Sequence, residues 1–132
     1  MKSEHTAVFI GKFQPPHIGH MITARKLLAR YAHVIVAVTD GKPNIMSPKN
    51  VLNLFKEVLG NEGFSFKHIK GAVDEGTAKF DFDFDIICSG NPLVLDLLKK
   101  QSHNVEFIER TSDDYFTGTS IRTNFINKSM YD

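Results

Sequence analysis

The stretch GKFQPPHIGH (Gly11–His20) follows directly on the apolar run AVFI (Ala7–Ile10). A short apolar run stopped by glycine is the pattern of a strand buried on both faces. Beyond it, Ile18, Ile22, Leu27, Leu28 and Tyr31 recur at helical spacing, with Arg25, Lys26 and Arg30 set toward solvent. The ten residues therefore join the carboxyl end of a strand to the start of a helix near Pro16–Ile18. His17 and His20 are three residues apart and share one face of the first turn. Gly19 removes a side chain between them. A helix start exposes unpaired N–H groups and the positive end of the macrodipole, both of which favour an anion. Lys12 adds a charge at the strand end, which completes a compact cradle for phosphate. The segment is neither a G-x-x-x-x-G-K-[ST] loop nor a G-x-G-x-x-G loop. No HExxH pattern or cysteine partner accompanies the histidines, which argues against zinc.

The same alternation continues along the chain. VIVAV (Val34–Val38) reads as a second buried strand, closed by Thr39-Asp40-Gly41. Ser47 and Pro48 read as an N-cap and a first helical residue. The helix they open carries Val51, Leu52, Leu54, Phe55, Val58 and Leu59 as core residues and ends near Gly60. FSFKHIK (Phe64–Lys70) alternates like a half-exposed or edge strand. FDFDFD (Phe80–Asp85) is read as an extended approach to the next strand, phenylalanines inward and acids outward, in preference to a metal site. DIIC (Asp85–Cys88) is a fourth strand, cut by Ser89-Gly90-Asn91. PLVLDLLKK gives a short helix, NVEFIE a last strand and TSIRTNFINK a terminal helix. The order implies one α/β domain over residues 1–132, doubly wound around a mostly parallel five-stranded sheet. Ligands bind such sheets beyond the carboxyl ends of the strands. The unusual residues are concentrated there.

Composition narrows the function. Apolar residues make up 42% and charged residues 23%, a globular balance. Sixteen basic residues against fifteen acidic ones leave a net charge of +1, which gives no reason to expect a nucleic acid or a membrane as partner. Cys88 is the single cysteine, so no intramolecular disulfide can form; it reads as a small buried residue. No apolar run reaches the length of a signal peptide or a membrane span, so the expected compartment is the cytoplasm. His33, His68 and His103 lack accompanying features and read as surface or strand-edge residues.

GKFQPPHIGH resembles the first signature of the HxGH nucleotidyltransferase superfamily, and its GKFQP-H-GH form is similar to archaeal-type nicotinamide mononucleotide adenylyltransferases. YFTGTSIR (Tyr115–Arg122) resembles the second signature, S/T-G-T-x-I-R, and SGNPLVLDLL (Ser89–Leu98) is similar to a further segment of the archaeal-type enzymes. The resemblance implies a Rossmann-like fold. It also implies transfer of a nucleoside monophosphate from ATP or CTP to a small phosphate-bearing acceptor, releasing pyrophosphate. By resemblance, His17, His20, Lys12 and Arg122 are the catalytic residues. Gly11, Phe13, Gln14, Gly19, Gly90, Asn91, Thr117, Gly118, Thr119 and Ser120 are the nucleotide-binding ones, Thr119 and Ser120 doubling as helix caps. Mg2+ or another divalent cation is implied with the triphosphate, with no protein ligand assigned. Relatives often form homo-oligomers.

The acceptor is less constrained. GKFQ and SGNPLV favour ATP with a nicotinamide-type acceptor. Thr39-Asp40, assigned to the acceptor, resembles the T-D of cytidylyltransferases. The helix starting SPKNVLNLF lacks the arginine of an E-R pair, the chain has no tryptophan and the Gly71–Phe80 loop is short. CTP with a small phosphorylated alcohol or amino acid is therefore the alternative, and a non-catalytic nucleotide-binding domain is the reading from another class.

Overall fold

The computed structural model describes residues 3–41 and 45–108. Its centre is β1 (Ser3–Gly11), the middle strand of a five-stranded parallel sheet ordered β3-β2-β1-β4-β5. Along the chain follow α1 (Ile18–Arg30), β2 (Tyr31–Thr39), α2 (Pro48–Leu59), β3 (Phe64–Ile69), a turn of 3-10 helix (Val73–Glu75), β4 (Ile86–Ser89), α3 (Pro92–Lys100) and β5 (Val105–Phe107). The parallel α/β architecture expected from the alternating pattern is the one found. The terminal helix expected over TSIRTNFINK lies outside the described residues.

Strand ends differ from the apolar runs. β1 starts at Ser3 instead of Ala7, and β2 starts at Tyr31 instead of Val34. Backbone pairing depends on N–H and C=O groups, so it runs on through polar residues that an apolar pattern leaves out. β4 is displaced by one residue, from Asp85–Cys88 to Ile86–Ser89, and β5 covers only three residues of NVEFIE.

Both faces of the sheet are covered, which explains the continuous apolar runs. Successive residues of β1 point to opposite faces. Ala7 and Phe9 pack with Val34, Val36, Val38 and Cys88 beneath Met21, Ala24 and Leu27 of α1 and Val51 and Phe55 of α2. Val8 and Ile10 pack with Ile35, Ala37 and Ile87 on the other side, beneath Val73 and Leu98. Each Val, Leu, Ile, Phe or Met side chain among them contributes about 1.5–3 kcal/mol when fully buried.

The β3–β4 connection contains no α-helix. Phe80, Phe82 and Phe84 cover the second core in its place, while Asp81 and Asp83 between them stay exposed. His103 closes this layer, its ring 5.1 Å from Phe80 and 5.7 Å from Phe84. Ile18 and Val58, expected inward, are exposed; the buried face of α1 runs instead through Gly19, Met21, Thr23, Ala24 and Leu27. No described helix is long and apolar enough to cross a membrane.

Polar ties also cross the strands. Glu106 on β5 accepts hydrogen bonds from Arg30 at the end of α1 and from Tyr31 at the start of β2. Partial burial opposes ionisation of Glu106, but these two donors outweigh it and hold its carboxyl below the usual range. His33, read from the sequence as a surface or strand-edge residue, is hydrogen-bonded through Nε2 to Ser65 Oγ at 2.7 Å, from β2 to the edge strand β3.

Candidate active site

In the strand order β3-β2-β1-β4-β5, chain connections diverge on either side of β1. β1 leads through α1 to β2, whereas its other neighbour, β4, leads through α3 to β5. Beyond Gly11 and Ser89 the strand ends therefore part, leaving a crevice at the switch point. One lobe of it is lined by Gly11, Lys12, His17, Gly19, His20, Thr23, Ser89, Gly90 and Asn91, over Phe9, Ile10, Phe13 and Ile108.

His17 is the N-cap of α1. Its Nδ1 accepts the Gly19 N–H at 3.1 Å, and the His20 Nδ1 accepts the His17 N–H at 3.1 Å. The two imidazoles thus form a reciprocal capping box, with their rings stacked 3.8 Å apart at 26°. A backbone N–H can only donate, so each Nδ1 is an acceptor and each neutral ring carries its proton on Nε2. The cap therefore fixes both tautomers. Both rings line the lobe at the positive end of a helix.

Asn91 repeats the arrangement on α3. Its Oδ1 accepts the Leu93 N–H at 3.0 Å, Pro92 occupies the first turn, and Ser89 Oγ accepts the Asn91 N–H at 3.1 Å. Two helix N-termini thus converge on one lobe, an arrangement suited to a polyanion.

Phe13 packs into the core with its backbone at φ +49°. Its ring meets those of Phe9, Phe55 and His20 edge-on at 4.8–5.1 Å. It forms the wall of the lobe and a back support for His20. A Cβ on Gly11 would lie 2.8 Å from this ring, so glycine is required there.

Gln14, expected to bind nucleotide, is otherwise engaged. Its Nε2 donates to Met46 O at 2.7 Å and its Oε1 accepts the Met46 N–H at 2.6 Å. Both amide ends are used on backbone, tying the β1–α1 loop to the approach to α2, and Gln14 lines none of the crevice.

The assigned acceptor pair is divided. Thr39 is buried and lines a second lobe on the α3 side of the sheet. Asp40 borders a neighbouring hollow with Lys12 and Asp74 and also holds the ends of β2 and β3 together: its Oδ2 accepts the Gly71 N–H at 2.9 Å and its Oδ1 meets His68 Nε2 at 2.7 Å. The Gly71 bond, then the His68 bond, keep the Asp40 carboxyl below its ordinary range. His68 lies on the exposed edge strand β3, as expected; the parallel register that brings it beside Asp40 is invisible in the local sequence.

Lys12 reaches across the strand ends, its Nζ 3.5 Å from Asp74 Oδ2. Thr23 and Asp74 are polar lining residues that sequence reasoning missed, whereas Ser89 falls in the strand-end segment Ser89–Pro92 where a ligand was expected. Thr23 follows Gly19 and His20 by one helical turn, a spacing that could have revealed it. Ser89 ends β4, as Gly11 ends β1. Asp74 carries no such signal, because only the β3–β4 crossover brings it to Lys12. Arg122, Thr117, Gly118, Thr119 and Ser120 lie outside the described residues. Among the described residues, no three His, Cys, Asp or Glu side chains are grouped so as to hold a metal.

A family model described as cytidylyltransferase-like matches residues 8–59, the segment from β1 through α2. Nicotinamide-nucleotide adenylyltransferase 1 of Sulfolobus acidocaldarius is 31% identical over 132 residues, an alignment covering 88% of this chain and 75% of that protein. Among solved structures, a bifunctional NMN adenylyltransferase/ADP ribose pyrophosphatase from Francisella tularensis superposes with a TM-score of 0.68 at 18% identity. The same bifunctional protein complexed with AMP and a Mn ion gives 0.59 at 16%. This chain is covered to 98% in both but spans less than half of their length, 45% and 44%.

Proposed function

The chain belongs to the cytidylyltransferase-like nucleotidyltransferase family, and from that membership we propose that it transfers AMP from ATP to nicotinamide mononucleotide, releasing pyrophosphate. The observation that carries this reading is the reciprocal histidine cap, which sets both imidazoles at a helix N-terminus in the lining of one lobe at the switch point.

The reaction is a direct displacement. An oxygen of the acceptor phosphate attacks the α-phosphorus of ATP. The new P–O bond forms as the bond from that phosphorus to the bridging oxygen breaks, and pyrophosphate leaves with the electron pair. The attacking phosphate is already ionised near neutrality, so no general base is needed. What the protein supplies is position and charge stabilisation.

In this reading His17 and His20 donate to the triphosphate, His20 at the α-phosphate. Lys12, common to both lobes, offsets charge where the two phosphates meet. Gly11 and Gly19 permit close approach. Gly90 and Asn91, at the start of α3, border the nucleoside. Thr39 faces the acceptor. Arg122, Thr117, Gly118, Thr119 and Ser120 are assigned to the β- and γ-phosphates by their signature alone. A divalent cation such as Mg2+, held by the triphosphate and not by a cluster of described carboxylates, would neutralise phosphate charge.

The test measures pyrophosphate release with nicotinamide mononucleotide and either ATP or CTP. Release with ATP, together with formation of the dinucleotide, is expected. Absence of release with either nucleotide, while ATP still raises the melting temperature, would replace this reading with a non-catalytic binding domain.

A further inference from the structure

The second lobe of the crevice shares Gly11, Lys12, Ser89 and Asn91 with the histidine lobe but lies on the α3 side of the sheet. Its wall is apolar, built from Val73 on the 3-10 turn and Leu93, Val94 and Leu97 on α3. Thr39 supplies a hydroxyl from the end of β2. Among the described residues that line it, only Lys12 and Asp74 are charged, and they form an ion pair, Nζ to Oδ2 3.5 Å.

We propose that Asp74 is the specificity-determining residue of this lobe, selecting acceptors whose only anionic group is the reacting phosphate. The inference rests on the adenylyl-transfer reading above. The acceptor phosphate must approach the rim common to both lobes, where Lys12 stands. A pair as exposed as Lys12–Asp74, with side chains 32% and 59% accessible, opens at little cost. The phosphate then takes over part of the lysine charge. Asp74 is left facing the remainder of the acceptor, in a lobe whose described lining offers no second cation.

A cationic or neutral remainder is accepted there, and an additional carboxylate is repelled. Nicotinamide mononucleotide, with its pyridinium ring and uncharged amide, is of the accepted kind. Its nicotinate analogue, in which a carboxylate replaces the amide, is of the rejected kind. Repulsion between two unit charges several ångströms apart in a half-solvated lobe corresponds to roughly a tenfold preference.

The experiment compares kcat/KM for these two mononucleotides, with ATP saturating, in the wild type and in Asp74→Asn and Asp74→Glu. The expected result is a wild-type preference for the amide of about tenfold, expressed mainly in acceptor KM and weakened by added salt. Asp74→Asn should reduce the preference to within about twofold, chiefly by improving use of the acid. Asp74→Glu should restore it. Equal use of both acceptors by the wild type, or a preference that survives Asp74→Asn, overturns the assignment of Asp74 while leaving the reaction standing. Turnover of neither mononucleotide overturns the reaction itself, and this inference with it. The salt dependence of the wild-type preference requires no variant: a preference unaffected by salt overturns an electrostatic selection by Asp74 even if a substituted chain folds poorly.

Discussion

His20 accepts the backbone N–H of His17 through Nδ1 at 3.1 Å, while His17 accepts that of Gly19 through its own Nδ1 at 3.1 Å. One pair of side chains therefore closes the first turn of α1 and fixes which nitrogen each ring presents as a donor. Capping and chemistry are separable by substitution. His17→Ser retains an N-cap oxygen and should keep the melting temperature close to that of wild type, whereas His17→Ala should cost about 1 kcal/mol of stability. Both lack the Nε2 donor and should lose activity alike. His20→Ala should lower kcat by about two to three orders of magnitude. A loss below tenfold in steady-state assays would remove His20 from the proposed mechanism.

Gly11 and Phe13 test whether the back wall positions His20. A Cβ on Gly11 would approach the Phe13 ring to 2.8 Å, and that ring is already held by Phe9, Phe55 and His20. Gly11→Ala should therefore destabilise the protein by about 1–3 kcal/mol in chemical denaturation. Displacing the ring also displaces His20, so kcat should fall more than the KM for ATP rises.

Gly71 lies at φ +93°, and a Cβ there would sit 2.2 Å from the Thr77 carbonyl oxygen. Backbone cannot yield as a flexible side chain can. Gly71→Ala should break the Gly71–Asp40 bond and lower the melting temperature more than Gly60→Ala, where a Cβ meets nothing within 4 Å.

Acid stability should depend on Asp40 and Glu106, whose folded-state carboxyls are held below their ordinary range. A depressed folded value means that the unfolded chain binds more protons as pH falls. The stabilisation is therefore complete above the unfolded value of about 4 and is lost as pH drops through the lower folded value. Melting curves should show Asp40→Asn and Glu106→Gln destabilising the protein at pH 7, with the difference from wild type shrinking on acidification.

Cys88 is fully buried beneath α1, and burial pushes its thiol up to about 12. Alkylating reagents at pH 8 should leave it unmodified in the native protein and modify it at once in denaturant. Rapid native labelling, read by mass spectrometry, would show that β4 opens readily.

Local sequence carries information wherever the physical cause is itself local. An apolar run needs burial wherever it lies, which is why AVFI and VIVAV mark strands. Ser47-Pro48 satisfies a helix start within its own turn, and the i, i+3 spacing of His17 and His20 places them together without any long-range contact. These causes suffice for the fold class and the histidine face. Gln14 shows the limit of motif reading. It stands within GKFQPPHIGH, yet both ends of its amide are taken by Met46, thirty-two residues away.

Partnerships between distant residues were decided only by the tertiary structure. Parallel pairing of β2 with β3 brings His68 to Asp40, and the helix-free crossover to β4 brings Asp74 to Lys12. Hydrogen bonds and ion pairs act over a few ångströms, and no spacing in the chain records which strand ends will share an edge. GKFQPPHIGH on its own established that a helix starts where a buried strand stops, with two imidazoles on its first turn. The fold decided that these imidazoles bind each other's turn through Nδ1, because only the completed helix start supplies the N–H groups that fix them.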